Sequence, residues 1–380
     1  MTATNKACRY LVMAGGTGGH IFPAIAVAKE LQKRGASVSW LGTSGMESTI
    51  VPNHHIDFYA LPVKGFRGKN ILQQLLAPLY LLSSVFQAMK VIRKTQSDIV
   101  VGFGGFVAAP GGIAARLMGK PLIIHEQNSV AGSTNKLLNK LAAKTLSAFP
   151  GALPNAVHVG NPVRSDIVNL HQSVASGCLT AQASNNTFHL LITGGSLGAK
   201  AINDVMPHAI AELLSTIKEK NLPLNIEVLH QTGQGKQSTV TEAYAQLGIK
   251  ATTEEFIGDV AAAYQWADVV ICRAGALTVS EIAVASVPAI FIPLPSAIDN
   301  HQYHNAKWLV DSEASLLIEQ QSLTSTELAK CLTQLAADHQ KLSIMKTKLH
   351  ALALPQAAER VTDYCEALCA SSTKGTSHAV

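Results

Sequence analysis

His20 ends the run Gly15-Gly-Thr-Gly-Gly-His20, which places a side chain that titrates near neutrality where a helix is about to begin. Free N–H groups and the helix dipole at such a turn attract negative charge, and glycine lets a ligand approach the backbone closely. The imidazole there either packs on the first helical turn or acts as a base over a bound anion or sugar. The spacing is not a dinucleotide fingerprint, because the third glycine of that pattern would fall at Ile21. Gly102 to Gly112, with Gly104 and Gly105 inside it, and Gly194-Gly-Ser-Leu-Gly198 are two further candidate anion cradles. The last also satisfies the nucleophile-elbow pattern around Ser196, with Asp299 and His304 downstream as nominal partners. A complete glycine-loop domain ahead of Ser196 argues against the hydrolase and for a diphosphate cradle.

Two carboxylates follow strands. Pro121 to His125 delivers Glu126-Gln-Asn128 to a strand's carboxyl end, where open α/β sheets bind ligands. Ala274-Gly-Ala-Leu-Thr-Val-Ser-Glu281 follows the apolar Val269 to Cys272, and Glu281 is expected in the first turn of the next helix. A carboxylate there is either a cap favoured by the dipole or an acceptor for a ribose diol. No Asp-x-Asp pair occurs and no His/Cys cluster has metal-ligand spacing, so diphosphate charge is expected to meet loops, dipoles and cations such as Arg164.

The positioning elements alternate. Tyr10–Met13, Ser37–Leu41, Phe58–Pro62, Asp98–Val101, Pro121–His125 and a last strand leading into Gly160-Asn-Pro-Val-Arg164 read as strands with helices between. The alternation restarts with His189–Thr193, Ile226–Gln231, Thr253–Ile257, Val269–Cys272 and Ala289–Ile292. Repeated βα units in both halves argue for an α/β protein of two doubly wound parallel sheets. The expected boundaries are residues 1–165 and 166–354, then a closing helix over 355–370 and a polar tail over 371–380. His171 to Thr187 reads as a loose loop, and Lys136, Lys140 and Lys144 as one helical stripe.

The totals set limits. The 380 residues suffice for two cores, and no stretch reaches the roughly 20 apolar residues that span a bilayer. Met1 to Ala7 lacks an apolar signal core, and six cysteines without a CxxC pair are expected as reduced thiols. The net charge of +5 hides an imbalance: residues 1–165 carry 17 Lys and Arg against 5 Asp and Glu, whereas 166–380 carry 13 against 20. The basic front half also holds Lys64-Gly-Phe-Arg-Gly-Lys69 and a helix from Ile71 to Lys94 that is apolar on more than one face. Its excess apolar surface, beside Lys90, Arg93 and Lys94, fits an element that dips into an anionic membrane surface as well as packing on the sheet.

Taken together, Gly-Gly-Thr-Gly-Gly-His20, the Gly102–Gly112 loop, His-Glu-Gln-Asn128, Gly-Asn-Pro-Val-Arg164, the Gly-Gly-Ser loop and Ala276-Leu-Thr-Val-Ser-Glu281 resemble, in this order, the MurG family. Its members are UDP-N-acetylglucosamine transferases that complete the lipid-linked disaccharide of peptidoglycan. The resemblance runs from about Tyr10 to Arg360 and implies a glycosyltransferase-B fold, two domains facing across a cleft, with the closing helix returning to the front domain. It implies that the rear domain binds the sugar nucleotide: the backbone near Ile257 and Ala276-Leu277 holds uracil, Glu281 the ribose, and Ser196, Thr278 and Arg164 the diphosphate, with Val279 and Ser280 also among the substrate-binding residues. Asn128 and Gln302 would contact N-acetylglucosamine, with Thr17, Gly18 and Gly19 closing over it. The front domain would take undecaprenyl-diphosphate-linked muramyl pentapeptide, its diphosphate at Gly104 and Gly105.

The implied reaction is an inverting displacement by the muramyl 4-hydroxyl, with His20 as first choice of base and Glu126 as rival. No cofactor and no metal are implied. The implied location is peripheral, on the cytoplasmic face of the bacterial inner membrane, with other cell-wall synthesis proteins as partners and no nucleic acid. The sequence departs from the family in two places: Phe106 stands where many relatives carry tyrosine, and His301 where glutamine is common. A transferase with another lipid acceptor, or a UDP-sugar epimerase, is the alternative.

Overall fold

The computed structural model describes residues 8–63, 77–175, 186–195 and 197–375. Contacts divide the chain into two units, one of residues 1–164 with 355–380 and one of residues 165–354.

The first unit is built on seven parallel strands: β1 (Arg9–Met13), β2 (Ser37–Gly42), β3 (Asp57–Ala60), β4 (Ile99–Gly102), β5 (Leu122–Glu126), β6 (Lys144–Ser147) and β7 (Val157–His158). Their order is β3-β2-β1-β4-β5-β6-β7, and the reversal beside β1 is where a doubly wound sheet opens a crevice at its carboxyl edge. The central strands are apolar on both faces because helices cover both. Val12, Val101 and Ile123 pack under helix α1 (Gly18–Lys33), while Leu11, Val100 and Ile124 belong to the opposite core. Trp40 is fully buried, and its indole N–H donates to the Ala14 carbonyl at 3.0 Å, fixing the strand end that precedes the first glycine turn. Helices α2 (Glu47–Ile50), α3 (Ala77–Thr95), α4 (Ala108–Leu117) and α5 (Ser133–Leu138) fill the connections.

The second unit begins with α6 (Ser165–Ala175) and holds six parallel strands: β8 (Thr187–Thr193), β9 (Asn225–Gln231), β10 (Thr252–Glu254), β11 (Val269–Cys272), β12 (Ala289–Phe291) and β13 (Leu316–Leu317). Their order is β10-β9-β8-β11-β12-β13. Around them run α7 (Lys200–Glu219), α8 (Gln237–Gln246), α9 (Val260–Trp266), α10 (Ala276–Ala285), α11 (His301–Val310), α12 (Ser325–Ala337) and α13 (His339–Leu352). The closing helix α14 (Ala357–Gly375) belongs to the first unit, where Val361 and Cys365 enter the core under α1. Arg34, after α1, donates to Asp363 at 2.7 Å and Glu366 at 2.9 Å.

Several expectations are corrected. The thiols are not all free: Cys8 and Cys369 form a disulfide across 361 residues, because α14 returns beside the start of β1. Helix α14 runs through Gly375, so the polar tail does not begin at 371, and residues 376–380 lie outside the described residues. His171 lies in α6 rather than a loop, while residues 176–185 also lie outside. Lys144 opens strand β6, so it cannot share a helical stripe with Lys136; its ammonium sits 4.8 Å from the centre of the Tyr364 ring. Lys64, Arg67, Lys69 and the start of the greasy helix lie outside the described residues.

Candidate active site

In the first unit, the carboxyl ends of β1, β4 and β5 bring four chemical groups together. Thr17 precedes α1 in extended conformation, and its hydroxyl lies 3.3 Å from Nδ1 of His20. The His20 ring lies against the second glycine turn: a Cβ on Gly104 would sit 3.1 Å from Cδ2 and 3.2 Å from Nε2. Gly104 and Gly105 adopt φ of +97° and +80°, which L side chains rarely tolerate, and a Cβ on Gly105 would strike the Gly15 carbonyl. The two turns are thus pressed backbone to backbone. Phe106, beside them, is 52% exposed and offers a ring where a hydroxyl was the family expectation.

Glu126 is buried at the end of β5, and each of its oxygens takes two donors. Oε1 accepts from the Asn128 amide N–H at 2.9 Å and its side chain at 3.3 Å; Oε2 accepts from Gly132 N at 3.2 Å and Asn135 Nδ2 at 2.9 Å. Burial pushes the carboxyl's pKa up, against the pull of those donors. With both oxygens engaged by the Asn128, Gly132 and Asn135 donors, Glu126 sets the conformation of the Asn128 turn. Asn135, which the sequence pattern did not single out, bonds both Glu126 and the His125 carbonyl, and it approaches Gly104. Its signal was faint, a lone asparagine in a short helix. His125 is fully buried with Nε2 at 2.9 Å from the Gly160 carbonyl, and burial lowers its pKa to about 4. Nε2 therefore carries the proton and donates it. This bond ties β5 to the Gly-Asn-Pro-Val-Arg164 turn, and Arg164 lies half-buried at the unit's edge.

In the second unit, Gly275 precedes α10 in extended conformation, with Ala276, Leu277 and Thr278 forming the first helical turn. Ser280 returns its hydroxyl to the Ala276 carbonyl at 3.0 Å, and Val279 is buried. Glu281 sits in the second turn, not the first, so capping is not its role. It is 7% exposed and accepts from the Tyr264 hydroxyl at 3.3 Å. Burial, followed by the nearby Glu281 charge, raises the Cys272 thiol pKa. Tyr264 went unseen because it lies on α9, 17 residues away.

Ile257 is nearly buried just before α9, which Asp259 caps by accepting from Ala262 N at 2.9 Å. Gln302 is the second residue of α11, and its side-chain Oε1 accepts from Leu294 N at 3.0 Å. The stretch before it is irregular, with Asp299 and Asn300 both left-handed at φ of +53° and +52°. Arg273, also unforeseen, buttresses this stretch by donating to the Ile292 and Pro293 carbonyls and to Gln320. In the third glycine turn Gly198 N–H bonds the Gly195 carbonyl at 2.7 Å, while Ser196 lies outside the described residues. Among the described residues, no group of three His, Cys, Asp or Glu side chains could hold a metal ion.

Residues 10–147 match the model of the glycosyltransferase family 28 N-terminal domain, and residues 189–361 match that of its C-terminal domain. The chain is 49% identical over 366 residues to a Cellvibrio japonicus protein named UDP-N-acetylglucosamine–N-acetylmuramyl-(pentapeptide) pyrophosphoryl-undecaprenol N-acetylglucosamine transferase, covering 95% of this chain and 98% of that one. Among solved structures, Acinetobacter baumannii MurG is 38% identical with a TM-score of 0.77, covering 94% of this chain and 98% of the other. A UDP-GlcNAc 2-epimerase from Neisseria meningitidis, at 15% identity, TM-score 0.63 and coverage of 93% and 98%, shares the fold.

Proposed function

The chain belongs to the MurG family of glycosyltransferase family 28, with its glycosyltransferase-B fold, and from that premise we propose the reaction and the role of each site residue. The protein transfers N-acetylglucosamine from UDP-N-acetylglucosamine to undecaprenyl-diphosphate-linked muramyl pentapeptide, a step of peptidoglycan synthesis. The observation that carries this reading is full-length similarity to a protein named for that reaction. At 15% identity, the epimerase likeness carries fold alone.

The second unit binds the donor. Ile257, Ala276 and Leu277 hold uracil, Glu281 accepts from the ribose, and Thr278, in the first turn of α10, meets the diphosphate at the helix mouth. A diphosphate at that terminus meets free N–H groups and the dipole's positive end. In the second unit Gln302 contacts the sugar; in the first, Asn128 and the Thr17-Gly18-Gly19 turn are substrate-binding residues. Gly104 and Gly105 receive the acceptor diphosphate, their lack of Cβ leaving backbone N–H groups open to it.

His20 is the base that takes the proton of the muramyl 4-hydroxyl as it attacks the anomeric carbon on the face opposite UDP. Thr17, 3.3 Å from Nδ1, orients the ring so that Nε2 is the nitrogen presented. Glu126 serves by holding Asn128.

The enzyme works at the membrane surface on which its lipid acceptor lies. On α3, Leu79, Tyr80, Leu82 and Phe86 are each more than half exposed, and exposed Lys90, Arg93 and Lys94 continue the helix. That combination suits a leaflet of anionic lipid. No helix among the described residues is long and apolar enough to cross a membrane. The test is radiolabel transfer from UDP-N-acetylglucosamine to a short-chain lipid-linked muramyl pentapeptide in EDTA. Transfer with UDP release is expected; donor binding without transfer would reopen the acceptor.

A further inference from the structure

Glu47 is a fully buried carboxylate that no step above uses. It opens the four-residue helix α2 and turns back beneath the first glycine loop. Oε1 accepts from Thr43 N at 2.8 Å and Thr43 Oγ1 at 2.6 Å, and Oε2 accepts from Gly16 N at 3.4 Å. The neighbouring backbone is shaped around it. A Cβ on Gly15 would strike Oε1, one on Gly42 would lie 2.9 Å from Cγ, and one on Gly45 would lie 3.0 Å from Oε2. Gly15 in turn meets Gly105, and Gly104 meets His20. One carboxylate thus bonds the first glycine turn, which itself packs on the second.

Resting on the transferase reading, we infer that Glu47 is a positioning residue for the transfer: its carboxylate holds the Gly15-Gly16 backbone and so sets where His20 and the Gly104-Gly105 turn face the acceptor. A buried ionisable group is costly unless its lone pairs are used. Here they are used on the N–H groups of two separate loops and one hydroxyl. With Gly16 N–H drawn toward Glu47, the N–H groups left for ligand at this helix mouth are those that follow it. The side chain's chemistry matters as well as its size. A glutamine at 47 can present its oxygen to Thr43, but its NH2 then faces Gly16 N–H, donor against donor. Glu47→Gln therefore releases the glycine loop while conserving volume, and Glu47→Asp keeps the charge but falls one methylene short of Gly16.

The experiment compares wild-type protein with Glu47→Gln and Glu47→Asp in the full chain. It reads kcat in the transfer assay, UDP affinity by calorimetry and thermal unfolding by circular dichroism. The expected result is a split: kcat at least 10-fold lower in both variants with UDP affinity within 2-fold, because the uridine-binding residues lie in the other unit. Wild-type kcat in either folded variant overturns the inference. So does a loss of kcat that tracks the loss of folded protein or of UDP affinity, which is what a merely structural role would give. If the wild type itself transfers nothing, the transferase reading fails and this inference with it; wild-type transfer with indifferent variants removes the inference alone.

Discussion

Replacing Glu281 by alanine is expected to weaken UDP binding by a predictable amount. The carboxylate is 7% exposed and holds the Tyr264 hydroxyl at 3.3 Å, so it is already oriented when the nucleotide arrives. Hydrogen bonds to a charged, buried acceptor contribute about 1.5–3 kcal/mol. Alanine at 281 strips the ribose of its acceptor. A loss of about 1–3 kcal/mol, or roughly 5–150-fold in Kd, is the expectation. Tyr264→Phe removes only the neutral donor that steadies the carboxylate, so its effect should stay near 1 kcal/mol or below. Calorimetric titration with both UDP and UDP-N-acetylglucosamine measures this, because both ligands carry the ribose and should lose equally. Unchanged affinity for both would take Glu281 out of the site. A loss confined to the sugar nucleotide would refute the ribose assignment, since the carboxylate would then be meeting the sugar.

His20→Ala should lower kcat by about 10²–10⁴-fold, the usual contribution of a positioned base, while donor affinity in the same calorimeter moves only slightly; a variant with normal turnover eliminates His20 as base. His125 has its pKa lowered from an unfolded value of 6.5 to about 4 by burial, so the stability it contributes is fully present above pH 6.5 and is lost as pH falls toward 4. At about 1.4 kcal/mol per pH unit this amounts to about 3 kcal/mol across that window, so urea-unfolding free energies of His125→Gln should fall less steeply with acid than those of the wild type. Leu82→Glu with Phe86→Glu should reduce partition onto anionic vesicles at least 10-fold, since each side chain withdraws about 1 kcal/mol or more of apolar burial in the interface; sedimentation with vesicles at two salt concentrations would check it, and undiminished binding would move the contact elsewhere.

The strand-turn-helix repeats were legible because parallel strands buried on both faces are short apolar runs, and glycine marks where each run must turn. The switch beside β1 follows from a doubly wound arrangement of consecutive βα units. The full order of strands does not, because the residues of one apolar run carry no mark of which neighbour it pairs with. What misled lay at element ends. Lys136, Lys140 and Lys144 share a helical period on paper, yet α5 stops at Leu138 and the chain turns into β6. The polar composition after Ala370 suggested a tail, while the helix continues to Gly375. Cys8 and Cys369 could not be paired by spacing, since no spacing rule reaches across 361 residues.

The same divide separates the site residues found in the sequence from those missed. His20, Asn128, Thr278 and Glu281 announce themselves because each follows a strand by a few residues at the sheet's carboxyl edge, where local order alone predicts exposure to ligand. Asn135, Tyr264, Arg273 and Glu47 touch the site through residues 9, 17, 19 and 31 positions away. Their side chains are polar groups in ordinary helical or turn sequence, and nothing local distinguishes a buried Glu47 from a solvated first-turn carboxylate. The glycines are the one trace it leaves. Gly15 follows β1, whereas Gly42 and Gly45 belong to the end of β2 and the turn after it, yet a Cβ on any of the three would press on Glu47, and on Gly42 on Phe58 as well. A cluster of glycines in adjacent βα turns can therefore register a buried side chain as well as a ligand. Substituting the glycine and the carboxylate together distinguishes the two: Gly15→Ala should be better tolerated in a Glu47→Ala background than alone if the side chain is the reason, and equally harmful if the ligand is.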